Sequence, residues 1–165
     1  MNLAYTRQPS RHTSSRLHGG FTLLEVLIAI VVLSIGLLGL AGLQAAGLRN
    51  NTSAYMRTIA TQQVHDMADR MRANLIGVTG GNYDSITTAI PANPGCIATG
   101  CTAAQMAVYD AFEWNTMNQN LLPLGTGTVT RIGSPPGIDR FTISVRWDDD
   151  RTGVANTTFS MAIEL

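Results

Sequence analysis

Few residues of this chain stand where side-chain chemistry would need them. Glu25 is the single charge in an otherwise apolar run from Phe21 to Leu43, FTLLEVLIAIVVLSIGLLGLAGL. A carboxylate in lipid costs on the order of 3 kcal/mol even on lenient insertion scales, so such a residue is expected to be paired and functional. Cys96 and Cys101 lie five positions apart. In an oxidising compartment an even cysteine count predicts a disulfide. A zinc site would need further ligands, and downstream of residue 20 the only histidine is His65, in a helical segment elsewhere. The run Asp148-Asp149-Asp150-Arg151-Thr152-Gly153 carries oxygens that calcium accepts, but it lacks a spaced ligand loop and reads more simply as a hairpin turn. There is no nucleophile elbow, phosphate-cradling glycine loop or paired set of catalytic carboxylates. The expectation is a chain that is not an enzyme, with no metal and no cofactor.

The layout that must position these residues is set by charge. Of 165 residues, 45% are apolar and 13% charged, which excludes a disordered or nucleic-acid-coating chain. All 11 basic residues are arginine, against 11 acids. Arg7, Arg11 and Arg16 fall in the first 20 positions, where there is no acid, so the remainder has 8 Arg against 11 acids, a net of −3. Basic leader, apolar run and mildly acidic body form the charge order of an exported protein.

The 23 residues from Phe21 to Leu43 make about 34 Å of helix, enough to cross a hydrocarbon core of about 30 Å. The preceding arginines, with His12 and His18 beside them, place the N-terminus in the cytoplasm and the body across the membrane. A cleaved secretory signal would have a shorter apolar region and a better cleavage site than Leu43-Gln44-Ala45. A plain signal anchor fits the length but leaves Glu25 without a role.

Beyond the span, Met56, Ala60, Val64, Met67, Met71 and Leu75 recur at helical spacing and predict a second, amphipathic half of the same helix. Asp66 with Arg70 and Asp69 with Arg72 are at pairing distance on it. Residues 77–101 read as loop, punctuated by Gly80-Gly81, Pro91 and Pro94-Gly95. A second helix is expected over Thr102–Leu122, with Met106, Tyr109, Phe112 or Glu113, Met117 and Leu121 at near-helical spacing and Pro123 ending it. Three strands follow, at Thr126–Ile132, Asp139–Trp147 and Asn156–Glu164. Phe141, Ile143, Val145 and Trp147 alternate with polar residues, so one face of the middle strand is buried.

The junction Gly19-Gly20-Phe21-Thr22-Leu23-Leu24-Glu25, after a basic leader and before a long apolar span, resembles the class III signal of type IV prepilins and pseudopilins. The resemblance covers roughly residues 16–50. It implies that a membrane aspartyl peptidase cuts between Gly20 and Phe21 and methylates the new amine of Phe21. Cutting there creates a positive charge four residues from Glu25, one helical turn away, and near a helix N-terminus where negative charge is favoured. In a filament of packed apolar helices, Glu25 would pair with the amine of a neighbouring subunit; losing one partner of a buried pair costs about 3–5 kcal/mol, which would enforce register.

Ile35-Gly36-Leu37-Leu38-Gly39-Leu40-Ala41-Gly42-Leu43-Gln44 is similar to the run found in type IV pilus modification proteins of the PilV type, which are minor pilins. Ala29, Gly36, Gly39 and Gly47 share one side of the helix as a small-residue stripe for close helix packing, or else Gly36 to Gly42 form a flexible joint. The resemblance implies an α+β, pilin-like fold in which the long helix packs on a small antiparallel sheet. Its parts would be a cytoplasmic leader (1–20), a membrane and filament-core helix (21–47) and a periplasmic globular domain (48–165). Partners would be other minor pilins, the major pilin, the prepilin peptidase, the inner-membrane assembly platform and, before assembly, membrane lipid. The alternatives are a minor pseudopilin of a type II secretion system, or a DNA-binding or adhesive pilin. With a net of −3 DNA binding is not expected, although Arg131, Arg140, Arg146 and Arg151 could form a local basic patch.

Overall fold

The structure, a computed structural model, describes residues 20–133 and 139–165. The leader arginines and histidines, and most of the loop from Gly133 to Gly137, lie outside the described residues. Backbone contacts divide the chain into one unit ending at Ala45 and another spanning Ala46–Leu165. Helix α1, Leu23–Ala73, contributes to both.

In the first unit every residue from Gly20 to Ala45 is exposed. Leucine, isoleucine and valine side chains ring the helix without burying one another, so this stretch is long and apolar enough to cross a membrane. Within the helical part of this run, Ser34 Oγ donates to the Ile30 carbonyl at 2.7 Å, so this hydroxyl brings no unsatisfied donor into lipid. The helix runs unbroken through Gly36–Gly42, so the glycines form no joint in this structure.

The second unit is an α+β body. The later part of α1 buries Met56, Ile59, Ala60, Val64, Met67, Ala68 and Met71, spaced by three and four, which is the face expected. Leu75 departs from it. Helix α1 stops at Ala73, and Asn74 caps a new short helix, α2 (Leu75–Thr79), by accepting from the Gly77 amide at 3.2 Å. Leu75 is thereby turned out to 52% exposure. The predicted pairs form, Arg70 to Asp66 and Arg72 to Asp69, both at 2.8 Å.

Within the stretch read as loop lie α2, a two-residue strand β1 (Ser85–Ile86) and the short helix α3 (Cys96–Thr99). Helix α4 (Ala103–Leu121) starts on a capping box in which Thr102 accepts from the Gln105 amide while Gln105 Oε1 accepts from the Thr102 amide. Strands β2 (Thr126–Arg131), β3 (Arg140–Trp147) and β4 (Thr157–Glu164) complete an antiparallel sheet in the order β1-β2-β3-β4. The sheet therefore has four strands rather than three. Its inner face sets Val129, Phe141, Ile143, Val145, Trp147 and Ile163 against α1 and α4. A long helix packed by its second half on a small antiparallel sheet is the α+β arrangement expected.

The buried face of α4 differs from the expected one. Ala107, Asp110, Ala111, Trp114, Asn115 and Asn118 point inward, whereas Met117 and Leu121 are each 44% exposed and Met106 and Tyr109 are only half-buried. Close approach explains the choice. A Cβ on Gly127 would stand 2.3 Å from the Trp114 ring, and one on Gly125 would stand 2.0 Å from the Asn118 carbonyl oxygen. The Trp114 indole donates to the Gln63 carbonyl at 2.8 Å, while Asn115 accepts from the Gly127 amide and donates to the Thr87 carbonyl. Trp114 and Asn115 thereby tie α4 to α1, to β2 and to the segment after β1.

Candidate functional site

Gly20, Phe21 and Glu25, singled out by the sequence, lie at the start of α1. Thr22 is its N-cap: the Thr22 Oγ1 accepts from the Glu25 amide at 3.2 Å, and its carbonyl accepts from Glu25 and Val26. Threonine at the cap and glutamate three positions on is the signature of a capping box, a signal present in the sequence as Thr22-Leu23-Leu24-Glu25 but passed over there. The cap sets where the helix begins. Phe21 and Thr22 precede the first helical residue, Leu23, so the Phe21–Glu25 spacing is not one regular helical turn as expected, and the Gly20–Phe21 peptide bond lies outside the helix.

Gly20 and Phe21 are exposed, Phe21 at 82%. A Cβ added to Gly20 would meet nothing within 4 Å. Nothing in this chain's own packing therefore requires glycine there; a requirement would come from whatever grips the bond. Glu25 is exposed, and its carboxylate has no hydrogen-bond or ion-pair partner among the described residues. Placed three positions into the helix, it faces the positive end of the backbone dipole.

Ala29, Gly36, Gly39 and Gly47 are all exposed, and a Cβ on any of the three glycines would stand in open space. They make no close helix contact among the described residues, so a packing role for them calls for another molecule. Cys96 and Cys101, far along the chain, are joined in a disulfide with Cα atoms 5.0 Å apart. The bridge closes the α3 turn directly before the Thr102 cap of α4, and so fixes the entry to that helix.

The remaining candidates scatter. Asp148, Asp149 and Asp150 lie in the β3–β4 connection. Asp148 accepts from the Thr152 and Gly153 amides, the latter at 2.7 Å, and Asp150 accepts from the Thr152 hydroxyl at 2.8 Å, so the loop's own donors satisfy much of this charge. His65 is exposed on α1. The four arginines considered as a basic patch are divided: Arg131 pairs with Asp84 and Asp139, Arg140 with Glu164, Arg146 donates to the Ala155 carbonyl, and Arg151 alone has no partner among the described residues.

Sequence reasoning missed a buried polar network. Asp110, 5% exposed, accepts from the Tyr83 hydroxyl at 2.5 Å and from the Arg70 guanidinium at 3.4 Å. Burial and the neighbouring Asp110 push the Tyr83 hydroxyl well above the ordinary tyrosine range. Burial works against the charge on Arg70, but Asp66 and Asp110 outweigh it and hold that guanidinium above its usual value. Asn74 joins the network by donating to the Tyr83 oxygen and to the Ala103 carbonyl. This is a clasp between α1, α4 and the segment linking them.

Two families of known proteins match the chain. The prokaryotic N-terminal methylation motif matches residues 15–41, and type IV pilin Tt1218 matches residues 42–112. Both concern structural subunits rather than enzymes. Neither the curated proteins nor the solved structures contain a match to the chain.

Proposed function

We propose that this chain, a type IV pilin-like protein with a prepilin N-methylation motif, is a minor pilin of a type IV pilus. The leader, residues 1–20, is cytoplasmic; the helix 21–47 crosses the inner membrane and later joins the filament core; residues 48–165 form the periplasmic body. A prepilin peptidase cuts between Gly20 and Phe21 and methylates Phe21. The subunit then enters the filament through contacts with other minor pilins and the major pilin at the inner-membrane assembly platform.

The observation that carries this reading is the wholly exposed apolar helix, capped by Thr22 directly after the Gly20–Phe21 bond. A soluble protein could not leave so much apolar surface uncovered. Cleavage at the bond before the helix keeps that surface with the mature chain, where only lipid or other apolar helices can cover it. Glu25 then supplies the charge that a neighbour's Phe21 amine would need. Ala29, Gly36, Gly39 and Gly47 would allow neighbouring helices to approach closely.

Mass spectrometry of the mature N-terminus tests the proposal. A product beginning with N-methylated Phe21 is expected; one beginning near Ala46, with the apolar helix removed, would overturn it. The glycine-rich run from Gly36 to Gly42 favours a pilus over a type II secretion pseudopilus, and recovery of the chain from sheared pili distinguishes the two.

A further inference from the structure

The body contains a cavity of about 630 Å³ that the assembly reading leaves unused. One wall is the stretch of α1 that directly follows the apolar run, with Leu48, Arg49 and Ser53; the other is the β3–β4 connection, with Asp149, Asp150 and Arg151. Two guanidiniums and two carboxylates line one space, and their states differ. Arg49 and Arg151 are exposed and have no hydrogen-bond or ion-pair partner among the described residues. Asp149 is held in place, accepting from Ser53 Oγ at 2.7 Å and from the Trp147 indole at 3.0 Å. Asp150 keeps one oxygen on Thr152 and is exposed. That hydroxyl holds the Asp150 carboxyl below the usual range, so it is charged at neutral pH.

Position along the helix supplies the second half of the argument. The 25 residues from Leu23 to Gly47 rise about 38 Å as helix, close to the thickness of a bilayer with its headgroup layers. A helix that enters at Leu23 therefore brings Leu48 and Arg49, the next residues along it, to the level of the opposite headgroups. Unpartnered arginines at that level meet phosphodiesters, which the guanidinium fork recognises with charge-assisted hydrogen bonds. Carboxylates in the same space would repel a purely anionic headgroup. They suit one that carries its own ammonium.

We propose that this cavity binds the headgroup of a zwitterionic phospholipid with a primary ammonium: Arg49 and Arg151 take the phosphate, and Asp150, backed by Asp149, takes the ammonium. The site would hold the subunit waiting in the membrane at a second point besides its apolar helix. It rests on the reading that residues 21–47 span the bilayer.

Native mass spectrometry of the full chain in detergent, with added phosphatidylethanolamine, phosphatidylcholine or phosphatidylglycerol, tests the assignment. One phosphatidylethanolamine should be retained in preference to phosphatidylcholine, whose quaternary nitrogen has no N–H to donate, and to phosphatidylglycerol, which has no nitrogen. Arg49→Gln with Arg151→Gln should lower that retention about tenfold, the scale of losing charge-assisted hydrogen bonds. Both side chains are exposed and unpartnered, so folding should survive, with Arg72→Gln as the control that changes nothing. Equal retention of the three lipids, preference for phosphatidylglycerol, or undiminished retention by the double variant would overturn the site. Glycerophosphoethanolamine should fail to displace the lipid; displacement would assign the cavity to a free headgroup compound instead. Alkaline carbonate extraction separates the two levels. Release of the chain from membranes would sink the spanning helix itself, whereas a firmly integral chain without lipid preference would sink only the cavity.

Discussion

The Tyr83 hydroxyl donates to the Asp110 carboxylate at 2.5 Å inside the body, bridging the segment after α2 to the middle of α4. Hydrogen bonds to charged groups are worth about 1.5–3 kcal/mol, and a buried carboxylate deprived of its donor loses more than the bond alone. Tyr83→Phe should therefore destabilise the full chain by about 2–3 kcal/mol in denaturant unfolding followed by the fluorescence of Trp114 and Trp147, both buried. A loss below about 0.5 kcal/mol would remove the clasp from the list of what holds α4 in place.

The same bond has a pH signature. Tyr83 holds its proton more tightly in the folded state than in the unfolded chain. Its contribution is therefore fully present below the ordinary tyrosine pKa of about 10 and declines as pH rises above that value. Stability measured from pH 8 to pH 11 should fall at the alkaline end in the parent, and this component should be missing in Tyr83→Phe. Parallel curves for the two proteins would assign the alkaline loss to other groups.

Gly127 sits beneath the Trp114 ring, where a Cβ would approach ring carbons to 2.3 Å and the Asn118 amide nitrogen to 2.7 Å. Neither neighbour can yield easily, since Trp114 is fully buried and hydrogen-bonded to Gln63. Gly127→Ala should cost about 1–3 kcal/mol, the usual penalty of overpacking, and should shift the tryptophan emission. Stability equal to the parent's would mean that α4 rides further from β2.

Residue patterns reveal part of this architecture and conceal the rest for identifiable reasons. Strands β2, β3 and β4 begin and end within a residue of their expected limits, because Phe141, Ile143, Val145 and Trp147 alternate so regularly. The inward face of α4 differs from the expected one because periodicity favours large apolar residues such as Met117 and Leu121. Gly127 in β2 and Gly125 just before it instead admit a close approach, which selects small residues, Trp114 and three polar side chains. Strand β1 is invisible in sequence, since two residues carry no period and Ser85–Ile86 is defined by its pairing with Thr130 and Val129. At the start of α1 the Glu25 anomaly and the Gly20–Phe21 junction stand out by residue type alone. The cap that moves Phe21 outside the helix was also written there, in Thr22 and Glu25, but a helical count begun at Phe21 obscures it.

The Cys96–Cys101 bridge closes a short loop, so its expected contribution is small, about 2 kcal/mol on the loop-entropy scale. Its placement matters more, because α3 leads straight into the Thr102 cap. Cys96→Ser with Cys101→Ser should lower stability by about that amount and raise amide exchange over the first turn of α4, with the sheet little affected. Treating the parent with dithiothreitol should reproduce both changes; global loss of protection would give the bridge a larger role.

Gly20 has open space around it in this chain, so a side chain there should leave folding and insertion untouched. Under the proposed processing, Gly20→Val should nevertheless abolish cleavage, because the fault lies in how a peptidase accommodates the bond. Immunoblots of cells co-expressing the peptidase should show only the longer precursor. Normal maturation of Gly20→Val would place the cut elsewhere.

Glu25 is the sharpest test of the assembly reading. Its carboxylate has no partner among the described residues, so removing it should cost the isolated subunit little, and insertion into lipid should become easier by about 3 kcal/mol. In a filament the balance reverses. Glu25→Ala would leave a neighbour's Phe21 ammonium buried and unpaired, a penalty of about 3–5 kcal/mol. Glu25→Gln, which keeps the shape and drops the charge, should fail similarly, whereas Glu25→Asp should retain part of the function because the charge survives on a shorter arm. The measurement is the ratio of chain in sheared filaments to chain in membranes, with processing checked on the same samples. Depletion of the alanine and glutamine variants from filaments, at unchanged membrane levels, is expected. Undiminished incorporation of either would show that charge pairing at this position does not hold the subunit in place.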